Sequence, residues 1–197
     1  MSPAHVHEPT YRQLKRAITK GRWPLGTKLD AVRLANDLGV SITPVRDSLN
    51  RLVGEGLVDL TPGEGFRVAA LSEQRLREIL LVNLALLKYA LAYDWIPADV
   101  TTLDHAQESF AERVAAAFVK LAEGSKNGFL VAFVVHINER LHFVRELEPG
   151  IIPSARSRLS AIERSLASGG SDLPQIVDYY HEATLLHVPQ LIAAAIS

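Results

Sequence analysis

The chain has 197 residues, of which 48% are hydrophobic and 22% charged, a composition typical of a folded globular protein. It contains no cysteine, which excludes disulfides, thiolate metal sites and cysteine nucleophiles and fits a cytoplasmic protein. No apolar run approaches the roughly 18 residues that cross a bilayer, and residues 1–9 lack the apolar core of a signal peptide, so no membrane association is expected.

The net charge of −1 conceals an uneven distribution. Residues 1–70 carry ten Lys and Arg against seven Asp and Glu, a balance of +3, whereas residues 71–197 carry eleven against fifteen, a balance of −4. Binding to nucleic-acid phosphates requires local positive charge rather than a basic chain. The distribution is therefore compatible with a nucleic-acid partner for the N-terminal part, although a difference this small also arises by chance.

Residues 1–70 alternate short predicted helices with tight turns. Thr10 followed by Gln13 predicts the capping box of a first helix, which should end at Gly21. A second helix is predicted over residues 31–38, with Gly39 as its C-terminal stop.

A third helix follows after only four residues. Thr43 can cap this helix, with Pro44 at the first helical position, where the missing N–H is harmless. It should end near Gly54. Residues 57–60 and 66–68, joined by a turn rich in glycine and proline, then predict a small hairpin.

From Ser72 onward the pattern changes to long helices, predicted near 72–93, 101–123, 128–147, 153–168 and 173–187. Pro149-Gly150 should separate two of them, and Pro189 should end or kink the last. Residues 79–91 are apolar on more than one face, as in a helix at the centre of a bundle or at a subunit interface.

The predicted fold is mainly α, with a winged helix-turn-helix over 1–70 followed by an all-α helical bundle over 71–197. In a winged helix-turn-helix the third helix lies in the major groove of DNA with its N-terminal residues at base edges, and the hairpin reaches the adjacent backbone or minor groove.

The stretch LANDLGVSITPVRDSLNRL at 34–52 resembles the GntR family of transcriptional regulators. The sequences PLGTKL at 24–29, EGLV at 55–58 and PGEGFRV at 62–68 continue the resemblance, which covers residues 11–69. The resemblance implies a homodimer that binds double-stranded operator DNA and regulates transcription, as a repressor, rather than an enzyme. Two recognition helices related by a two-fold axis would read a palindromic site.

The resemblance also assigns DNA-contacting positions. Thr43 and Arg46 match the recognition helix, and Gly63 matches the tip of the wing. The full set of candidate DNA-binding residues is Arg33, Ser41, Thr43, Arg46, Gly63, Gly65 and Arg67. Two positions depart from the family, because Ile42 stands where an arginine is usual and Glu64 where a basic residue is common. Each departure removes a phosphate or base contact and makes the operator harder to infer.

Purely structural roles are an alternative interpretation of these residues. Arg46 could be a surface arginine paired with Asp47 or Glu55. Ser41 and Thr43 could serve only as helix caps, a role that is compatible with DNA contact.

In the FadR-type branch of GntR, an all-helical FCD domain follows the DNA reader, senses a small effector that is often a carboxylic acid, and often holds a metal ion. The order of helices here is similar to that branch. Asn138 and His142 stand where the branch has an Asp-x-x-x-His pair, Leu159 stands near a third ligand position, and His181 matches the last. An amide and two neutral imidazoles make a poor divalent-metal site, so no cofactor is expected, and a metal, if bound, would use Asn138, His142 and His181.

The branch also carries an Arg-x-x-x-Glu pair on the first helix of this domain, where the present chain has Asn83 and Leu87. An arginine fork is the natural carboxylate clamp. Its loss favours an effector that is neutral or apolar, oriented by Asn83, Asn138, His142 or His181.

Three functions therefore compete. The first is a DNA-binding regulator whose helical domain senses a metabolite. The second keeps DNA binding but uses the helical domain only for dimerisation or protein interaction, which the missing clamp and metal ligands favour. An enzyme has little support, since no phosphate-binding loop or nucleophile elbow is present in the sequence.

Overall fold

The structure, a computed structural model, describes residues 4–92, 95–96 and 108–196. The chain divides into two compact units. One contains the residues up to Leu71 together with those from Ala195 onward, and the other contains Ser72–Ala194. None of the helices in the described residues has the length and apolarity needed to span a membrane.

The described part of the N-terminal unit contains three helices and a three-stranded antiparallel sheet. The helices are α1 (Ala4–Thr19), α2 (Ala31–Leu38) and α3 (Ile42–Gly54). The strands are β1 (Lys28–Leu29), β2 (Val58–Thr61) and β3 (Gly65–Val68), in the order β1-β3-β2. β2 and β3 form the predicted hairpin with Leu60 opposite Phe66, and β1, which was not predicted, pairs with the other edge of β3.

The predicted start of the first helix was wrong. Thr10 is no cap but a buried residue within α1, which begins at Ala4 and continues through Pro9. Proline removes only one backbone donor. Burial of Tyr11, Leu14 and Ile18 against the rest of the unit outweighs that local signal.

α2 has the predicted boundaries, because both its ends are fixed locally. Asp30 accepts hydrogen bonds from the N–H groups of Val32 and Arg33, and Gly39 ends the helix in the left-handed region at φ 65°. For α3, however, the N-cap is Ser41 rather than Thr43, and Pro44 is a buried residue of the first turn.

A single core unites these elements. Its central side chains come from all three helices and from the sheet, and they include Leu14, Val45, Leu49, Leu52, Val58 and Val68.

In the helical unit the described residues form α4 (Glu73–Ala92), α5 (Phe110–Glu123), α6 (Gly128–Ile151), α7 (Ala155–Ala167), α8 (Leu173–Leu186) and α9 (Val188–Ala195). The predicted helix over 101–123 begins at Phe110, capped by a box between Ser109 and Glu112, and its first part, 101–107, lies outside the described residues. Residue 93 of the first predicted helix lies outside them as well.

The predicted separation at Pro149-Gly150 was wrong, because α6 continues to Ile151. Glu148 and Ile152, on either side of that pair, are both buried, so packing holds the helix across a locally unfavourable sequence. The last predicted helix ends at Leu186, and Pro189 becomes the second residue of the separate helix α9.

Candidate nucleic-acid interface and a buried polar cluster

The N-terminus of α3 is open and exposed. Ser41 has an extended backbone at the N-cap position and makes no capping hydrogen bond through its side chain, and the first turn contains no acidic residue. Ser41, Thr43 and Arg46 are all exposed to solvent. An open helix N-terminus offers backbone N–H groups and the positive end of the helix dipole to a phosphate. The N-terminus of α2 differs, since the Asp30 carboxylate already occupies it.

Within the described residues, the acids that could pair with Arg46 have other partners. Asp47 Oδ2 lies 3.5 Å from His7 Nδ1. Glu55 accepts a hydrogen bond of 2.6 Å from the Tyr11 hydroxyl and lies 3.0 Å from Lys15 Nζ. Both acids that the alternative interpretation of Arg46 requires therefore already contact other side chains.

The contacts of Glu55 belong to a brace between α1 and α3. The guanidinium carbon of Arg51 lies 3.6 Å from the centre of the Tyr11 ring, and Arg51 also contacts Glu55 at 3.4 Å and Glu8 at 3.1 Å. Partial burial opposes ionisation of Glu55, but hydrogen bonds from Tyr11 and Lys15 outweigh it and lower the pKa of Glu55. The brace fixes the direction of α3 on the unit.

The wing is a tight turn that needs glycine. Gly63 and Gly65 adopt φ values of 82° and 87°, in the region that side chains rarely occupy. Glu64 Oε2 lies 3.6 Å from Arg67 Nη2, and Arg67 Nη1 donates to the Gly26 carbonyl oxygen at 3.3 Å. The positive charge of Arg67 is thus partly neutralised by Glu64, and its side chain is held by the hydrogen bond to Gly26.

Arg33 is exposed on α2 beside a shallow surface cavity of about 270 Å³. Arg22 and Lys28 also line this cavity, with Asp30 and Asp37 on the same rim. The cavity is therefore of mixed charge.

A second group of polar residues is buried inside the helical unit, around Arg145 of α6. The Arg145 side chain is fully buried, and its guanidinium donates to Asn138 Oδ1 at 2.7 Å and to Asn83 Oδ1 at 3.4 Å. His181 Nε2 lies 3.1 Å from the same Asn83 oxygen. The guanidinium also lies over the Phe118 ring, 5.1 Å from its centre. Three of the four predicted effector residues, Asn83, Asn138 and His181, therefore meet around an arginine.

Glu148 and Tyr180 extend the cluster. The Tyr180 hydroxyl donates to Glu148 Oε2 at 2.7 Å. Burial raises the pKa of Glu148 to about 7, although the Tyr180 hydrogen bond and the Arg145 charge act in the opposite direction. Burial also lowers the pKa of His181 to about 4, so its imidazole is neutral at neutral pH.

The polar atoms of this cluster are incompletely satisfied. Asn83 Nδ2, Arg145 Nε and Glu148 Oε1 are buried without a hydrogen-bond partner. A neutral imidazole carries one N–H, yet His181 faces acceptors on both sides, the Val177 carbonyl oxygen at 2.8 Å and Asn83 Oδ1. A filled apolar core would not retain such a group, because unpaired buried polar atoms destabilise the fold.

His142, the fourth predicted effector residue, has its Nε2 3.5 Å from Glu146 Oε1, one turn further along α6. The donor set proposed for a metal does not fit one. Asn138 Oδ1 already accepts from a guanidinium, and a positive charge at that position opposes a divalent cation. In the described ranges, no group of three or more His, Cys, Asp or Glu is placed to hold a metal ion.

Sequence reasoning missed Arg145, Glu148 and Tyr180. The arginine clamp is absent from α4, as the sequence indicates, but the interior still contains a guanidinium, because Arg145 of α6 supplies one. One signal was available, since Arg145 follows Asn138 by seven residues and Glu148 follows Arg145 by three, which places all three on one face of a helix.

A winged helix-turn-helix followed in the chain by an all-helical unit defines a class of two-domain DNA-binding transcriptional regulators. Residues 7–68 match the model of the family described as bacterial regulatory proteins, gntR family. The N-terminal unit is therefore similar in sequence to this family of bacterial regulatory proteins.

Individual proteins with similar sequences are also described as transcriptional regulators. The HTH-type transcriptional regulator YdhC of Bacillus subtilis is 26% identical over 161 residues, 74% of this chain and 72% of YdhC. The HTH-type transcriptional regulator McbR of Escherichia coli is 33% identical over 102 residues, which span 50% of this chain and 46% of McbR.

Solved structures extend the likeness to the helical unit. A GntR transcriptional regulator from Rhodococcus sp. RHA1 has a TM-score of 0.75 at 18% identity, covering 93% of this chain and 97% of that one. The E. coli McbR structure has a TM-score of 0.61 at 21% identity over 96% of each chain. At these identities the likeness establishes the shared fold of the two units alone.

Proposed function

We propose that the chain reads a specific operator with the N-terminal end of α3 in the major groove of DNA. The observation that carries this proposal is the exposed, uncapped N-terminus of α3, where Thr43 lies within one turn of Arg46 and Ser41 precedes Arg46 by five residues. The backbone N–H groups there would hold a phosphate, and the Arg46 guanidinium would donate to a base edge, most naturally to guanine.

The wing and α2 would supply contacts to the DNA backbone. Gly63 and Gly65 allow the hairpin turn to approach a phosphate closely, because neither has a side chain in the way. Arg67 and Arg33 would contribute positive charge on either side of α3. The Glu64 carboxylate beside Arg67 makes this wing a weaker phosphate contact than an uncompensated arginine would be.

Two copies of the chain would bind one operator. A single recognition helix contacts only a few base pairs, so a two-fold pair is needed to specify a site in a genome. The regulator is proposed to repress, by occupying DNA that the transcription machinery would otherwise use.

The test replaces Arg46 by alanine. Operator fragments are first selected by the full-length protein from a random DNA pool, and binding is then measured by gel shift at fixed salt. Arg46→Ala should lose about 10-fold to 100-fold in affinity for the selected sequence, because a bidentate base contact is removed. Arg156→Ala, a change of the same type at an exposed position of α7, should bind as the wild type does. Equal affinity of Arg46→Ala and wild type would show that Arg46 does not read DNA.

For the helical unit we propose a small-molecule effector at the cluster around Arg145. The unpaired donors of Asn83 and Arg145 and the unpaired acceptor of Glu148 are groups that a ligand or water could satisfy. A buried guanidinium also changes the expected effector. Instead of a neutral or apolar compound, a small molecule bearing a carboxylate or another anionic group fits best.

The alternative, a helical unit that only dimerises, is favoured by one specific observation. The Arg145 side chain itself lies between Asn83, Asn138 and Phe118, where a ligand would otherwise lie. Thermal-shift measurements with small mono- and dicarboxylates, and with their amides as controls, distinguish the two. Stabilisation by the acids alone supports sensing, whereas no stabilisation by any compound supports the dimerisation module.

A further inference from the structure

The side of α3 that faces away from the core carries a row of three exposed polar residues. Thr43, Arg46 and Asn50 follow one another at intervals of three and four residues, which places them on one side of the helix. All three are exposed, and the buried residues of α3 belong to the opposite side. In the described ranges, none of the three side chains forms a hydrogen bond or an ion pair.

The charged neighbours of Asn50 on α3 have partners within the N-terminal unit. Asp47 Oδ2 lies 3.5 Å from His7 Nδ1, and the guanidinium carbon of Arg51 lies 3.6 Å from the centre of the Tyr11 ring. Asn50 lies between Asp47 and Arg51 along the helix and contributes to neither contact. Its amide oxygen and its NH2 group are therefore both available to a partner outside the chain.

The spacing of the row fits the major groove of DNA. Because a helix rises about 1.5 Å per residue, Thr43 and Asn50 are about 10.5 Å apart along the axis, which is less than the groove width of about 12 Å. Arg46 and Asn50 are about 6 Å apart, close to two base-pair steps of about 3.4 Å each. With the N-terminal end of α3 in the groove, Asn50 therefore lies within reach of base edges one or two base pairs from those that Arg46 contacts.

An asparagine amide can form two hydrogen bonds to adenine in the major groove and to no other base. Adenine presents its N6 amino donor beside the N7 acceptor, and the amide presents an acceptor oxygen beside an NH2 donor. Guanine presents two acceptors, O6 and N7, which match the two donors of a guanidinium instead. Arg46 and Asn50 are thus suited to different purines.

We propose that Asn50 is a second base-reading residue of α3 and selects an adenine one or two base pairs from the guanine read by Arg46. Asn50 Nδ2 donates to N7 of this adenine, and Asn50 Oδ1 accepts from its N6 amino group. The proposal rests on the proposed function, since it requires α3 to lie in the major groove. It adds a base of the operator half-site that neither Arg46 nor the wing specifies.

Operator selection by variant proteins tests this assignment. The whole chain and Asn50→Ala each select fragments from a random DNA pool, and gel shifts at fixed salt then measure affinity for every base at each position of the wild-type site. At one position the wild type should prefer adenine about 5-fold to 100-fold. Asn50→Ala should bind all four bases alike at this position and keep the preference for guanine at its neighbour. Because alanine favours a helix, its far-UV circular dichroism spectrum should be that of the wild type.

The matched control is Asn36→Ala, the same change at an exposed position of α2. It should keep both base preferences, because the recognition helix is unchanged.

A modified base isolates the hydrogen bond itself. 7-Deazaadenine lacks the N7 acceptor, so its use at the adenine position should weaken wild-type binding about twofold to tenfold. The same DNA should bind Asn50→Ala as tightly as the unmodified site does, because that variant has no amide to lose a partner. 7-Deazaguanine at the position read by Arg46 should weaken both proteins.

Three results would overturn the role of Asn50. They are an adenine preference that survives in Asn50→Ala, a loss of affinity in this variant that is equal for all sequences, as for a phosphate contact, and loss of the same preference in Asn36→Ala. A wild type that selects no sequence would contradict operator reading and this proposal together. A wild type that selects a guanine through Arg46 but no adenine would leave operator reading intact and contradict the role of Asn50 alone.

Discussion

At the scale of single residues, Glu64 is the least expected feature of the N-terminal unit. It lies at the turn of the wing, between two glycines, and its carboxylate is 3.6 Å from Arg67. In the proposed complex, a negative charge at this position would repel the DNA phosphates, and it also partly neutralises the arginine that would attract them. The wing of this chain therefore carries less positive charge than a wing in which the arginine has no acidic neighbour.

Replacing Glu64 by glutamine should strengthen binding to DNA of any sequence. The change removes the repulsion and leaves Arg67 available to a phosphate, so affinity should rise about threefold to tenfold at low salt. The slope of log affinity against log salt concentration should also become steeper by about one, because one more phosphate is neutralised. Fluorescence anisotropy with one fixed duplex over a series of salt concentrations measures both quantities. Glu123→Gln, at an exposed position of the helical unit, is the matched control. Unchanged affinity and slope would show that the wing does not approach the phosphates.

At the scale of elements, the ends of helices decided which predictions held. α2 was predicted accurately because a local signal at its C-terminus, Gly39, agrees with the packing of Leu34 and Ala35. α1 and α6 were predicted too short because the apparent capping box of Thr10 and Gln13 and the pair Pro149-Gly150 were interpreted as local boundaries. In both places long-range burial, of Tyr11 in one case and Ile152 in the other, outweighs one missing hydrogen bond.

The two candidate sites differ in the same way, since one depends on local sequence and the other on long-range packing. The N-terminus of α3 could be located to within two residues from the local sequence, although its cap was assigned to Thr43 instead of Ser41. The polar cluster could not, because it joins Asn83, Arg145 and His181 from three helices that meet only in the folded unit. A sequence shows that an arginine lies on a helix face, but not that the surrounding helices bury it.

Trp95 gives an element-scale prediction, because it packs against two glycines. Its indole Nε1 donates to the Leu121 carbonyl oxygen at 2.9 Å. A methyl group at Gly124 would overlap this indole and lie 2.7 Å from the Ile96 carbonyl oxygen. Gly124→Ala should therefore destabilise the helical unit by about 1–3 kcal/mol through overpacking, although the backbone there is ordinary helix.

The control for this prediction is Gly150→Ala, near the end of α6. A methyl group at Gly150 has no neighbour within 4 Å, so the change should be neutral or stabilise the helix by about 0.5–1 kcal/mol. Urea unfolding monitored by far-UV circular dichroism compares the two. If both variants lose equal stability, the contact between Trp95 and Gly124 has no energetic significance.

At the scale of the whole molecule, the two units have separate cores and can be followed separately. The chain contains two tryptophans, Trp23 in the N-terminal unit and Trp95 in the helical unit. A Trp23→Phe variant therefore reports unfolding of the helical unit alone. A chain of two units need not unfold in one transition, so unit-specific probes are required before a stability is assigned.

The buried cluster should make the stability of the helical unit depend on pH in two opposing ways. The pKa of Glu148 is raised to about 7 from 4.5, so its stabilising contribution is complete below pH 4.5 and is lost as pH rises through 7. The pKa of His181 is lowered to about 4 from 6.5, so its contribution is complete above pH 6.5 and is lost as pH falls towards 4. The remaining groups of the cluster, Arg145 and Tyr180, keep one charge state over this interval.

Glu148→Gln separates the two contributions, because glutamine keeps the shape of the side chain and does not titrate. His181 acts equally in both proteins, so the difference in melting temperature between variant and wild type isolates Glu148. This difference should increase in favour of the variant from about pH 5 to about pH 8, by roughly 5 °C or more, since the wild type must ionise a buried carboxyl group and the variant need not. The measurement follows Trp95 fluorescence in the Trp23→Phe background. Glu182→Gln, an exposed change on α8, should retain the wild-type profile. A difference for Glu148→Gln that is constant with pH would mean that this carboxyl group is ionised as easily inside the bundle as in water, and the cluster would then be an ordinary ion pair with Arg145.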